Sequence, residues 1–233
     1  MSPERRTLEL TLRDVVRDSS PDGTERVVLT TDTGAIECRL HDAANGDAAV
    51  VWVFGAGGGL GGPAGGAYAR LGQALLSSGV TSLEVAYRHP GDLVPCVLDT
   101  LLGVEYVATL GRARVILVGH SFGGAVVINT GAASDRVIAV AALSSQSAGT
   151  GAVAELAPRP LLLAHGTADE ILSDRCSRDI YARAREPRRL VLYPYCRHGL
   201  DQCRDALDRD LTAWIHEVVE RTDLQPVRAD ERP

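Results

Sequence analysis

Uninterrupted apolar runs recur along this chain: 49–54 reads AVVWVF, 115–118 VILV, 137–143 VIAVAAL and 160–165 PLLLAH. A strand with one wet face alternates apolar and polar residues, whereas a run without alternation suits a strand covered on both faces. Helix-period segments lie between the runs, at 68–78, 93–110, from residue 122 to about 131, and at 172–184. Further strands are expected at 81–87 and 190–193. A closing amphipathic helix over 201–220 carries Leu207, Leu211, Trp214, Ile215 and Val218 on one side. Strands that alternate with helices predict a mostly parallel sheet with helices on both faces. Only the start of the chain differs. Residues 7–16 alternate, and 25–40 reads as a hairpin turning at Asp32-Thr33-Gly34, so antiparallel strands are expected at one sheet edge. The fold class is therefore α/β, in one domain over residues 1–233, with its core at about 25–220 and a loose charged tail at 222–233.

Composition narrows the function. The chain has 233 residues and a net charge of −6, which argues against a general nucleic-acid binder. Arg185, Arg188 and Arg189, around Pro187, read as a solvated face. All 24 positive side chains are arginine. A P-loop lysine, a Schiff-base lysine and a Tyr-x-x-x-Lys centre are thereby excluded. The five cysteines, 38, 96, 176, 196 and 203, form no C-x-x-C pair. They read as free thiols in a reducing compartment, with a local Cys196–Cys203 link as the alternative. Neither a signal core nor a membrane-length apolar stretch stands out, so a soluble, cytoplasmic protein without a membrane partner is expected.

The chemistry concentrates after the 115–118 run, where the chain reads Gly119-His120-Ser121-Phe122-Gly123-Gly124. The pattern G-x-S-x-G has a steric origin. Small residues on either side let the backbone bend sharply from strand to helix and let the helix come close. Ser121 at the apex presents its hydroxyl to solvent at a helix N-terminus, where partial positive charge favours a developing oxyanion.

A serine hydroxyl is a weak nucleophile and needs a base, and the base needs an acid to hold its tautomer. The loop after the 160–165 strand offers Asp169, and the loop after the 190–193 strand offers His198. All three would lie at the carboxyl edge of the sheet, where open α/β sheets place their sites. Asp169 leads Glu170, Asp174 and Asp135 for the acid. His120 should point away from the apex and His165 should end a buried strand, so both read as structural. One oxyanion donor should be the amide of Phe122. The other should come from the glycine loop after residue 54, with Ala56 first and Gly57 second.

These residues carry a resemblance. The order Ser121, Asp169, His198, with the motifs GHSFGG, HGTAD and RHG and the turn Tyr87-Arg88-His89-Pro90-Gly91, resembles the α/β-hydrolase superfamily over roughly residues 25–220. It is most similar to compact, dienelactone-hydrolase-like serine esterases. The resemblance implies acyl transfer on a small ester-like substrate without metal or cofactor. It also implies a shallow, open site, because residues 144–159 leave little room for a lid. One departure stands out: relatives commonly open the oxyanion loop with His-Gly, and here Phe54-Gly55 stands instead. Arg88 and Arg197, in loops expected near the site, are candidates to favour an anionic substrate.

Two other readings compete. Gly57, Gly59 and Gly62 match G-x-G-x-x-G, with Glu84 a little over 20 residues on, which echoes a dinucleotide fingerprint. Pro63, Gly65 and Gly66 follow it where a helix should open, and Glu84 lies mid-strand. The other reading is a hydrolase fold kept as a binding module, which usually has lost one of the three groups.

Overall fold

A computed structural model describes residues 10–21 and 23–223. Nine strands form one sheet among these residues: β1 (Leu12–Ser19), β2 (Glu25–Thr31), β3 (Gly34–His41), β4 (Ala48–Val53), β5 (Val80–Ala86), β6 (Arg114–His120), β7 (Val137–Leu143), β8 (Leu161–Gly166) and β9 (Arg188–Tyr193). Five helices accompany them: α1 (Pro63–Leu75), α2 (Leu93–Thr109), α3 (Phe122–Ala133), α4 (Arg175–Arg183) and α5 (Arg204–Asp223). The spatial order is β1-β2-β3-β5-β4-β6-β7-β8-β9. The first three strands pair antiparallel and the rest run parallel, as the two patterns of alternation implied.

The side-chain period of two divides β4 between two cores. Ala49, Val51 and Val53 face a core built from α2 and α3. Ala48, Val50 and Trp52 face one built from α1 and α5. The apolar side of α5 is buried as its sequence demands, with Leu207, Leu211, Trp214, Ile215 and Val218 all in the second core. Each such side chain stabilises the fold by roughly 1.5–3 kcal/mol relative to exposure. The strand order reverses at β4, because β5 lies on one side of it and β6 on the other. A crevice therefore opens between the loops that follow β4 and β6, the usual place for a ligand in such a sheet.

Several boundaries differ from expectation. The first strand lies at Leu12–Ser19, exposed along its whole length, and residues 1–9 fall outside the described set. The tail at 224–233 also lies outside it. Helix α1 begins earlier than its apolar period, but Ala64, Gly65 and Gly66 are left-handed, so regular helix starts near Ala67. Helix α4 starts at Arg175 rather than residue 172, because Asp169 Oδ1 draws the amides of Ile171 and Leu172 into a turn of its own. Between β7 and β8 lies one short 3-10 turn, Gly151–Leu156, whose Val153 and Leu156 pack into the core beside α3. No helix among the described residues is long and apolar enough to cross a membrane.

Candidate active site

The turn from β6 into α3 is as sharp as the glycines permit. Ser121 has φ 58° and ψ −120°, a conformation that costs a non-glycine residue about 1–3 kcal/mol and persists only where the surroundings enforce it. They do so from two sides. The amide of Ser121 donates to Leu143 O at 2.8 Å, and its own carbonyl accepts from Gly124 N at 3.0 Å. The glycines provide clearance. A Cβ on Gly123 would run into Phe54 O and come within 2.9 Å of Val53 O, so α3 packs directly on the end of β4. A Cβ on Gly119 would overlap the carbonyl of Gly123.

Three loops at this edge bring together the side chains nominated by the sequence. Ser121 Oγ lies 3.0 Å from His198 Nε2, and His198 Nδ1 lies 2.7 Å from Asp169 Oδ2. A carboxylate only accepts, so the Nδ1 proton of His198 donates to Asp169. Nε2 is then free to accept from the serine hydroxyl. Asp169 is well held. Its Oδ1 accepts the amides of Ile171 and Leu172 at 2.9 and 2.7 Å. Its Oδ2 also lies 3.1 Å from His165 Nε2. Burial opposes ionisation of this carboxyl. The donors from His198, Leu172 and Ile171 outweigh it and hold the pKa below the ordinary carboxylate value. His165 is fully buried, with Nε2 donating to Leu172 O at 2.9 Å and Nδ1 accepting from Ser177 Oγ at 2.7 Å.

The glycine loop after β4 lies against Ser121. A Cβ on Gly55 would sit 3.5 Å from the Ser121 Cβ. The loop closes a turn in which Gly58 N donates to Gly55 O at 3.0 Å. The amides of Ala56 and Gly57 make no backbone bond of that kind among the described residues. Among the described residues no histidine hydrogen-bonds this loop, and two tyrosines hold the backbone where it begins. Tyr68 Oη donates to Val53 O at 3.0 Å and Tyr87 Oη to Phe54 O at 3.2 Å. Further along, Glu84 Oε2 accepts the Gly61 amide at 2.5 Å while Oε1 pairs with Arg39 at 3.1 Å. The acid of the dinucleotide-like pattern thus braces the loop, and left-handed residues 64–66 occupy the place where a pyrophosphate needs a helix N-terminus. No three His, Cys, Asp or Glu side chains converge as a metal site among the described residues.

Two expectations need correction. The Arg88 guanidinium does not face a substrate. It is 6% exposed, pairs with fully buried Asp99 at 2.6 Å and bonds Thr33, so it clamps the β2–β3 turn to α2. Burying Asp99 without that partner would leave an uncompensated charge, which explains why Arg88 is committed there. His120 is buried, in keeping with a structural role. Its ring lies between those of Phe54 and His198, and Nε2 reaches the His198 carbonyl at 2.9 Å. Arg197 is exposed beside His198, with its amide donating to Gln202 Oε1 at 3.0 Å. The reading of five free thiols is also corrected: Cys196 and Cys203, which bracket the His198 loop, form a disulfide, and only Cys38, Cys96 and Cys176 are free.

No family model matches the chain. Among curated proteins it is similar to YfhR, an uncharacterized protein of Escherichia coli K12, with 28% identity over 118 residues. That alignment covers 41% of this chain and 42% of YfhR, so the match spans less than half of the relative's own length. The folds agree over far more of the chain. A dienelactone hydrolase from Anabaena variabilis superposes with TM-score 0.71 at 14% identity, covering 88% of this chain and 99% of that one. Est1E from Butyrivibrio proteoclasticus gives 0.68 at 16% identity, covering 89% and 100%. An alpha-beta serine hydrolase homologue from Coxiella burnetii gives 0.64 at 15% identity, covering 86% and 98%.

Proposed function

We propose, starting from the α/β-hydrolase fold that the chain shares with these proteins, that it is a serine hydrolase acting on a carboxylic ester, lactone or thioester of a small, accessible substrate. One observation carries the reading: the hydrogen-bonded chain from Ser121 through His198 to Asp169, at 3.0 and 2.7 Å. Ser121 Oγ would attack the carbonyl carbon as its proton passes to His198 Nε2. The resulting imidazolium is stabilised by Asp169, whose ionised form is favoured by the N–H donors of His198, Leu172 and Ile171. Collapse of the tetrahedral intermediate expels the leaving group, which takes the proton from His198. Water activated by the same imidazole then releases the acyl group. The oxyanion would be met by the Phe122 amide and by that of Ala56, with Gly57 as the alternate. Such donors are typically worth about 100- to 1000-fold in rate each.

The short β7–β8 connection and the exposed Ile171 and Tyr195, on the loops that bear Asp169 and His198, favour a shallow apolar rim over an acyl tunnel. Arg197 is the remaining candidate to prefer an anionic substrate. No nucleic acid, cofactor or metal enters the scheme. A cytoplasmic location belongs to the same reading, although the Cys196–Cys203 bond weighs against a reducing compartment. Alkylation of cellular protein before and after reduction decides that point.

The direct test is labelling by a fluorophosphonate probe, with p-nitrophenyl esters of graded acyl length as substrates. Wild type should be labelled at Ser121 and should prefer short acyl chains. Ser121→Ala should lose labelling and roughly 10⁶-fold in kcat. Turnover retained by Ser121→Ala would refute the mechanism, and an unlabelled wild type would favour a binding protein.

A further inference from the structure

The residue before the nucleophile is His120, and the parity of β6 fixes its direction. Ile116 and Val118 face the core shared by α1 and α5, and residue 120 follows them. The loop bearing His198 passes over that face, since Cys196 and Leu200 belong to the same core. His120 is 4% exposed. Its Nε2 lies 2.9 Å from the carbonyl oxygen of His198. A carbonyl cannot donate, so His120 carries its proton on Nε2, and Nδ1 is left buried without a partner. The ring packs 4.8 Å from the His198 ring and 5.4 Å from Phe54, between the base loop and the first residue of the oxyanion loop.

We infer that His120 is a positioning residue: its Nε2–H fixes the backbone of His198, and its ring spaces the base loop from Phe54, so that His198 Nε2 stays aimed at Ser121. This rests on the hydrolase reading above. Other bonds also hold the loop, from Ala64 N to Gly199 O at 2.7 Å and from Ala168 N to Cys196 O at 3.0 Å. They act on either side of His198, and the His120 bond is the one made to the carbonyl of the base itself. Burial, first, with the nearby His198 adding to it, keeps His120 neutral at ordinary pH despite its bond to the carbonyl. An imidazolium forming on His198 therefore meets an uncharged neighbour.

His120→Phe retains a ring and removes the donor, while His120→Gln restores an N–H at nearly the same reach. With a p-nitrophenyl ester, His120→Phe should lower kcat about 10- to 100-fold, the scale for a catalytic group displaced by up to an ångström, with KM nearly unchanged. The acid limb of kcat/KM should shift in His120→Phe, and His120→Gln should recover most of the loss. Wild-type kcat in His120→Phe, or equal losses in both variants, would overturn the inference. Imidazole ¹⁵N shifts of the wild type provide a test that needs no variant: the proton must reside on Nε2 of His120, and a proton on Nδ1 refutes the role. Failure to label wild type with the fluorophosphonate would bring down the hydrolase reading, and this role with it. Labelling with an indifferent His120→Phe would bring down this role alone.

Discussion

Gly123→Ala tests whether the turn at Ser121 and the glycine loop after β4 form one rigid unit. The new Cβ would come within 2.9 Å of Val53 O and closer still to Phe54 O, both backbone atoms at the end of β4. Carbon and carbonyl oxygen ordinarily meet at about 3.3 Å or more, so Val53 must retreat by roughly 0.4 Å and Phe54 by more. Neither side yields easily. Ser121 is tied to Leu143 O from β7, and the Val53 and Phe54 carbonyls are held by Tyr68 and Tyr87. Overpacking of this kind costs roughly 1–3 kcal/mol. For a chain of this size that corresponds to about 2–12 °C in Tm. The catalytic effect should be larger than the loss of stability suggests, because displacing Phe54 carries Gly55 and Ala56 with it. On the proposed mechanism, misplacing the Ala56 amide as oxyanion donor by a fraction of an ångström to an ångström should reduce kcat by about 100-fold. The assay is kcat and KM on a short p-nitrophenyl ester together with thermal unfolding. Gly151→Ala is the control, where an added Cβ meets nothing within 4 Å, and it should change stability by less than about 0.5 kcal/mol. Wild-type kcat and Tm in Gly123→Ala would refute the claim that α3 packs on the end of β4.

Two further predictions concern the loop around His198. His120 titrates at about 4 when folded, against an ordinary value of 6.5, so the folded state resists protonation that the unfolded state accepts. Its contribution is complete above pH 6.5 and is lost as pH falls toward 4, about 3 kcal/mol in all. Asp169, whose pKa is also depressed, adds its own loss only below the ordinary carboxylate value of 3.8. Urea unfolding at pH 7 and pH 4.5 should give a smaller difference for His120→Phe than for wild type, and equal differences would refute the assignment. The Cys196–Cys203 bond closes a short loop, so Cys203→Ser should destabilise by about 2 kcal/mol. A reductant should lower the wild-type Tm toward that of the variant without affecting the variant. A wild-type Tm indifferent to reductant would refute the role of the bond.

What the sequence revealed, and what it concealed, divides along a physical line. Ser121, Asp169 and His198 could be nominated in advance because each has a side chain as its partner, and the chemistry demands particular residue types at the carboxyl ends of successive strands. The sheet was legible for a similar reason: burial on two faces requires unbroken apolar runs such as 137–143, and burial on one face requires the alternation seen in β2. The rest depends on partners that leave no mark in composition or spacing. His120 meets a main-chain carbonyl 78 positions away, and Tyr68 and Tyr87 meet the carbonyls of Val53 and Phe54. Any residue offers a carbonyl, so nothing in the sequence indicates which one will be held. Arg88 follows the same logic. Its loop position pointed to the site, but the direction of a long side chain is decided by where a buried opposite charge lies, and Asp99 lies beneath it on α2. The contacts hidden from sequence reading are therefore the ones that set the aim of the groups it identified. The loop after β4 illustrates this: it opens with Phe54-Gly55 where the resemblance would place a histidine, yet two tyrosine hydroxyls from α1 and the end of β5 hold the backbone from which the loop leaves, and the proposed mechanism would draw its second oxyanion donor from a loop anchored in that way.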